Sequence, residues 1–280
     1  MIYYENSNKI KLNLDEWPVV VEDITTLFGK EWKYEATENV NANRKKLEWF
    51  YRTGVIKKIT LQVYADTKAE LDEVLDRLNE ITDIDIIEQK PGKLWVGDYY
   101  LECYITKLDP KDYDDIFYTV DVDATIEAFT PYWINKSTHT FHSYGITSNY
   151  SKRYPGRYPY RYANGLTSNY LINQNYTPSN FQMIIYGPVV NPQVTVGINT
   201  YLVNIVLEEG EYLLIDSRNK TITKFLKNGE KVNAYHNRQK RKEFFEKIHT
   251  GRQMVQWTGK FDFDITVIEE RSTPKWKAVL

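Results

Sequence analysis

The sequence predicts a mainly β protein with an α+β N-terminal part. Apolar residues alternate through most of residues 181–233, as in Phe181, Met183, Ile185 and then Tyr201, Val203, Ile205, Leu207, with turn clusters at short intervals. That is the signature of half-buried strands joined by tight hairpins. A single capped amphipathic helix is expected over 67–81. Aromatic residues make up 15 % of the chain, with 23 tyrosines and 7 tryptophans, which favours strands and large contact surfaces.

In chain order, residues 1–65 hold short strand-like pieces at 9–13, 19–21, 31–36 and 47–51, and Ile59 to Tyr64 alternates cleanly. Thr67 then caps a helix, with Glu70 three residues on as a capping box. Leu71, Val74, Leu75, Leu78 and Ile81 form one apolar stripe, opposite Asp72, Glu73, Asp76, Arg77 and Glu80, so the helix lies on a sheet. Further strands are expected at 84–88, 94–96, 99–107 and, after a loop at 109–115, at 116–129. A helix among strands makes residues 1–130 an α+β unit. Asp121 and Asp123 alternate with Val120 and Val122 and read as a solvated strand face.

Composition shifts at Thr130-Pro131, where a second domain, 131–280, is expected to begin. Residues 131–180 are dense in Tyr, Asn, Ser, Gly and Pro, with GITSNY at 145–150 and GLTSNY at 165–170. Two copies are too few for a solenoid. Between them, Arg157, Tyr158, Tyr160, Arg161 and Tyr162 place arginines among aromatics. With Trp133 they are the candidate contact residues for a protein partner or a glycan. Within 181–233, Asn228-Gly229 suits a two-residue type I′ turn. The prolines of Gly187-Pro188 and Asn191-Pro192 mark a corner where the chain changes sheets, because proline cannot donate to a central ladder. A short amphipathic helix is expected over 238–249, and a strictly alternating strand at 261–267 closes a sandwich with the preceding hairpins.

The chain carries 36 basic and 38 acidic residues, a net charge of −2, which supplies no global reason for nucleic-acid or membrane binding. One cysteine, Cys103, excludes an intrachain disulfide and a cysteine zinc site. No apolar run approaches the roughly 18 residues of a membrane span, and the start lacks a basic-then-apolar signal pattern, so synthesis in the cytoplasm is expected. Four histidines are scattered without a ligand motif. No nucleophile elbow, phosphate-cradling glycine loop or dinucleotide fingerprint occurs. Asp112, Asp114 and Asp115 lack the glycine and distal glutamate of a calcium loop. Catalytic residues, metal and cofactor are therefore expected to be absent.

Several short motifs stand in a telling order: Pro131-Tyr132-Trp133, Tyr158-Pro159-Tyr160, the stretch 181–192, the stretch 210–216, Phe244-Phe245, Gly251 and Glu270-Arg271. In this the part from about 125 to 280 resembles the distal tail protein family of long-tailed bacteriophages with non-contractile tails. The resemblance implies an N-terminal domain that assembles into a hexameric ring and a C-terminal galectin-like antiparallel β-sandwich projecting outward. It implies a virion structural protein at the tail tip, made in the bacterial host. Its partners would be the tail-tube protein, the tape-measure end, a tail-tip protein and a receptor-binding protein, with DNA only as cargo in the lumen. The rival reading is a lectin-like module that recognises host cell-wall polysaccharide through Trp133, Tyr158, Tyr160 or Tyr162.

Overall fold

A computed structural model describes residues 1–39, 44–143, 169–241 and 243–278. They form a mainly β protein with one α-helix. Among the described residues no helix is long and apolar enough to cross a membrane. The chain divides into two compact units, Met1–Asn135 with Glu270–Leu280, and Lys136–Glu269.

The first unit holds β1 (Ile2–Glu5), β2 (Lys11–Asn13), β3 (Asp15–Glu16), β4 (Val19–Val21), β5 (Lys33–Asn39), β6 (Arg44–Tyr51), β7 (Val55–Tyr64), α1 (Lys68–Glu88), β8 (Gly92–Val96), β9 (Tyr99–Asp114), β10 (Thr119–Ala128) and the start of β11 (Trp133–Phe141). β9 is shared along its length: Tyr99 to Cys103 pair with β8, and Tyr104 to Asp114 pair with β10. The β9–β10–β7–β4–β3 path and the β9–β8–β1–β2 path thus diverge from one strand. Alternation decides what is buried. Val120, Val122, Ala124 and Ile126 enter the core with Leu61 and Val63, while Asp121 and Asp123 stay partly exposed as expected. The segment 270–278 belongs to this unit, where Trp276 stacks on Phe28 with ring centroids 4.1 Å apart.

Thr67 caps α1 by accepting from Glu70 N, while Glu70 Oε2 accepts from Asp66 N. The helix runs past the expected end to Glu88, so residues 84–88 are helical and not a strand. Their apolar Ile84, Ile86 and Ile87 imitate strand alternation, and nothing breaks the helix before Gln89 takes a left-handed cap. The tertiary structure explains the extension. Asp85 is fully buried and accepts from the Tyr4 hydroxyl at 2.5 Å and from Ser7 N at 2.7 Å, contacts that tie the last turns of the helix to β1. Burial and then the neighbouring Cys103 and Asp85 raise the Tyr4 pKa. Gly92 lies against the same pair, where a Cβ would fall 2.2 Å from the Tyr4 oxygen.

The expected loop at 109–115 is instead ladder: β9 and β10 pair out to Asp114 and Thr119 as a long hairpin with two register shifts. Residues 106–113 are largely exposed on both faces, so they show no burial alternation to read.

The second unit continues β11 and adds β12 (Asn169–Asn173), β13 (Asn180–Tyr186), β14 (Val189–Val190), β15 (Gln193–Val196), β16 (Asn199–Leu202), β17 (Val206–Leu207), β18 (Tyr212–Asp216), β19 (Thr221–Phe225), β20 (Lys231–Asn233), β21 (Gly251–Trp257) and β22 (Phe263–Arg271). One sheet runs β20-β19-β18-β13-β22-β11 and the other β12-β21-β15-β16. Phe181, Met183 and Ile185 of the first meet Val194, Tyr201, Val255 and Trp257 of the second in one core. The stretch 181–233 is therefore not one meander, because its middle hairpin, β15–β16, joins the opposite sheet.

The change of sheet falls at the two proline corners. Gly187-Pro188 is cis, and the chain then forms a two-stranded ribbon, β14 with β17. At Gly187 a Cβ would fall 2.1 Å from the Glu208 carbonyl oxygen. Gly187→Ala is expected to destabilise this unit by about 1–3 kcal/mol through overpacking, read as a lowered urea midpoint.

The corner is tied by Glu211, whose Oε2 accepts from Glu208 N at 2.7 Å and meets Lys224 Nζ at 2.7 Å. The Glu208 N–H, and then Lys224, hold its carboxyl below the usual range. A lowered folded-state pKa contributes stability that is present above the unfolded value and lost as pH falls through the folded one. Between about pH 5 and pH 3, the melting temperature of Glu211→Gln is expected to fall less steeply than that of the wild type.

Two local expectations are corrected. Asn228 has no positive φ; Gly229 alone does, at 83°, and its N–H donates to the Leu226 carbonyl oxygen, so the hairpin closes with a type I turn and a left-handed glycine. Residues 238–249 form no helix among the described positions. Phe244, Phe245 and Ile248 are buried from irregular backbone, fastened by single bridges from Arg238 to Val203 and from Ile248 to Ser179. Those cross-chain bonds satisfy backbone groups that a helix would have paired internally.

Candidate functional site

Within the first unit, β5 and β6 form a two-stranded sheet of their own. Tyr34 pairs with Phe50 and Glu35 with Trp49, so successive aromatics along β6 fall on opposite faces. Neither face is covered: Tyr34 is 59 %, Trp49 59 % and Phe50 58 % exposed, with Trp32 and Leu47 close behind. The rings of Tyr34 and Phe50 meet edge to face at 6.2 Å. Half-exposed rings of this number leave on the order of 500 Å² of apolar surface, more than single scattered residues on a monomer present.

The base of this hairpin is held firmly. Arg52 donates to the carbonyl oxygens of Glu31 and Pro131, and its guanidinium lies over the rings of Trp32 at 5.5 Å and Tyr132 at 5.6 Å. Lys57, on β7, is 8 % exposed and donates to the carbonyl oxygens of Thr26 and Gly29. Burial, and then the charge of Arg52, lower its pKa. Beside these groups lies a depression of about 470 Å³ lined by Lys30, Glu31, Lys33, Thr53 and Ile56. An aromatic arm on a pinned base is suited to lie against another protein surface.

A second projection, the β9–β10 hairpin, ends in Ile116 and Phe117, 75 % and 71 % exposed. Asp114 shapes this tip by accepting from the backbone N–H of both. Asp114 therefore has a structural task of its own in the run Asp112, Asp114 and Asp115. Among the described residues no group of three or more His, Cys, Asp or Glu side chains is placed to hold a metal ion. Cys103 is fully buried, and burial pushes its thiol up to about 12. His139 lies on β11, and His142 stands 4.0 Å from Asp262.

Of the expected contact residues, Trp133 is 2 % exposed and packs in the core of the first unit. Its ring has no open face to offer a glycan or a partner, because β11, which begins at Trp133, turns it into the core of the first unit. Arg157, Tyr158, Tyr160, Arg161 and Tyr162 lie outside the described residues. By periodicity alone the hairpin aromatics read as ordinary strand. The available signal was the consecutive run Trp49-Phe50-Tyr51, which puts large rings on both faces of a strand.

No family model matches the chain, and no curated protein matches it in sequence. Solved structures do. The SPP1 Dit protein, described as a paradigm of hub adsorption apparatus in Gram-positive infecting phages, aligns with a TM-score of 0.60 at 9 % identity, over 96 % of this chain and 98 % of that one. A chain of the phage P2 baseplate in its activated conformation with calcium aligns at 0.59 and 12 % identity, over 98 % of each chain. The strontium form of that baseplate matches at 0.59 over 98 % of this chain. At such identities the likeness is one of fold, and it spans nearly the whole chain.

Proposed function

We propose that this chain is a structural subunit of a phage tail tip, assembled as a homo-hexameric ring at the end of the tail tube. The uncovered aromatic hairpin β5–β6 carries the reading. An isolated two-stranded hairpin is marginal in water, and this one keeps apolar rings on both faces. A ring places the same arm against a neighbouring copy at every interface, which heterologous, closed symmetry requires. The fold shared with hub and baseplate chains supports the same assignment.

In this proposal the unit Met1–Asn135 with Glu270–Leu280 builds the ring and Lys136–Glu269 the outer sandwich. The ring joins the tail-tube protein and tape-measure end to a tail-tip protein and carries a receptor-binding protein, with DNA passing only as cargo. The role is architectural and non-enzymatic, located in the virion. Native mass spectrometry is expected to show six times the 33.2 kDa chain mass, and negative-stain images a ring with a central hole. A strict monomer at high protein concentration would sink the proposal.

A further inference from the structure

The first unit carries two unlike surfaces at opposite ends of one sheet. β10 pairs with β7 along its whole length, from Thr119 opposite Tyr64 to Ala128 opposite Val55. The tip of the β9–β10 hairpin adjoins the Thr119 end, and the depression at the root of the aromatic arm, lined by Val55 and Ile56, adjoins the other. Ten strand residues set the two on the order of 30 Å apart, so tip and depression of one chain cannot meet.

The two surfaces are opposite in shape and in charge. Residues 112–117 of the tip hold Asp112, Asp114 and Asp115 beside Tyr113, Ile116 and Phe117, with no basic residue. The depression is lined by Lys30, Lys33, Arg52 and Lys57 against one carboxylate, Glu31, and Ile56, 63 % exposed, supplies an apolar wall. Backbone carbonyls hold Arg52 and Lys57 in place, while Lys30 and Lys33 stay exposed at the rim. An acidic, apolar point is thus complementary to a cationic hollow with an apolar wall.

The tip is held in shape at a conformational cost. Asp112 and Tyr118, on either side of it, have φ of 47° and 48°, the left-handed region that a bulky aromatic rarely enters. Between them Asp114 accepts from the N–H groups of Ile116 and Phe117. Strain of this kind persists where the surroundings impose it, and it clusters at sites of function. Here it fixes two apolar side chains in solvent, against the hydrophobic effect.

We infer that the β9–β10 tip of one copy seats in the arm-root depression of the next copy, joining copies head to tail. The inference rests on the homo-oligomeric reading above and supplies the second, different face that a heterologous contact requires. Contact through the arm alone covers on the order of 500 Å² of a copy, short of the roughly 800 Å² per partner of a stable interface. Seating the tip adds about 300 Å² from its three apolar side chains.

The test uses the full-length chain with Phe117→Cys and Ile56→Cys together, treated with a short bis-maleimide. Cys103 is fully buried and stays out of the reaction. A denaturing gel is expected to show a ladder of covalent oligomers, whereas each single variant gives only the chain mass. Asp115→Lys is expected to cut the ladder about tenfold, and Lys30→Glu with Lys33→Glu in the same chain to restore it. A ladder indifferent to Asp115→Lys would overturn the inference, as would Phe117→Cys linking to itself, since tips would then meet tips. A native hexamer that yields no ladder would also overturn it while the ring stands, leaving the tip to a different tail protein. A strict monomer would sink the ring reading and this contact with it.

Discussion

Trp49→Asp combined with Phe50→Asp is expected to abolish the hexamer while leaving the chain folded. Both side chains are more than half exposed on a hairpin that forms its own sheet, so the folded unit loses little core when they change. Exposed substitutions of this kind shift stability by about 0.5 kcal/mol. An assembly interface is affected far more, because each buried aromatic side chain contributes about 1.5–3 kcal/mol and an uncompensated charge replaces it at every one of the repeated contacts. Native mass spectrometry should then report only the chain mass, with the circular dichroism spectrum unchanged and cooperative unfolding retained, at a melting temperature lowered by the loss of assembly. A persistent ring in the double variant would show that the arm is not the assembly surface, even if the ring itself is real.

Trp133→Ala is expected to have the largest effect on stability. The side chain is 2 % exposed, and truncating a buried tryptophan costs about 3–5 kcal/mol, from lost burial and the cavity left behind. That is a large share of the roughly 5–15 kcal/mol by which a domain is stable. Urea unfolding should show a clearly lowered midpoint. Trp133→Phe should recover most of it, since the smaller ring still fills much of the site. A neutral effect on unfolding with loss of glycan binding would instead restore the tryptophan as a surface platform.

Much of the fold was legible residue by residue. The capping pair Thr67 and Glu70, and the alternation of Val120, Val122 and Ile126, are local chemistry, and each sits where its periodicity placed it. The proline corner at Gly187-Pro188 was legible for the same reason, because a missing N–H ends a ladder in any context. The end of α1 was not. Ile84, Ile86 and Ile87 suit strand and helix alike, and the helix is selected by Asp85 reaching Tyr4, a contact 81 residues apart in sequence.

The candidate site divides in the same way. That residues 33–39 and 44–51 are strands follows from their composition, but an aromatic strand reads alike whether its faces are buried or bare.

By itself the sequence determined periodicity, caps, breakers and charge, and hence a mainly β chain with one helix. Only the tertiary structure decided which faces are covered: it buried Trp133, bared Trp49 and Phe50, and sent the 193–202 hairpin to the opposite sheet. Burial is a property of what packs on a residue from elsewhere in the chain, and side-chain period carries no information about that neighbour.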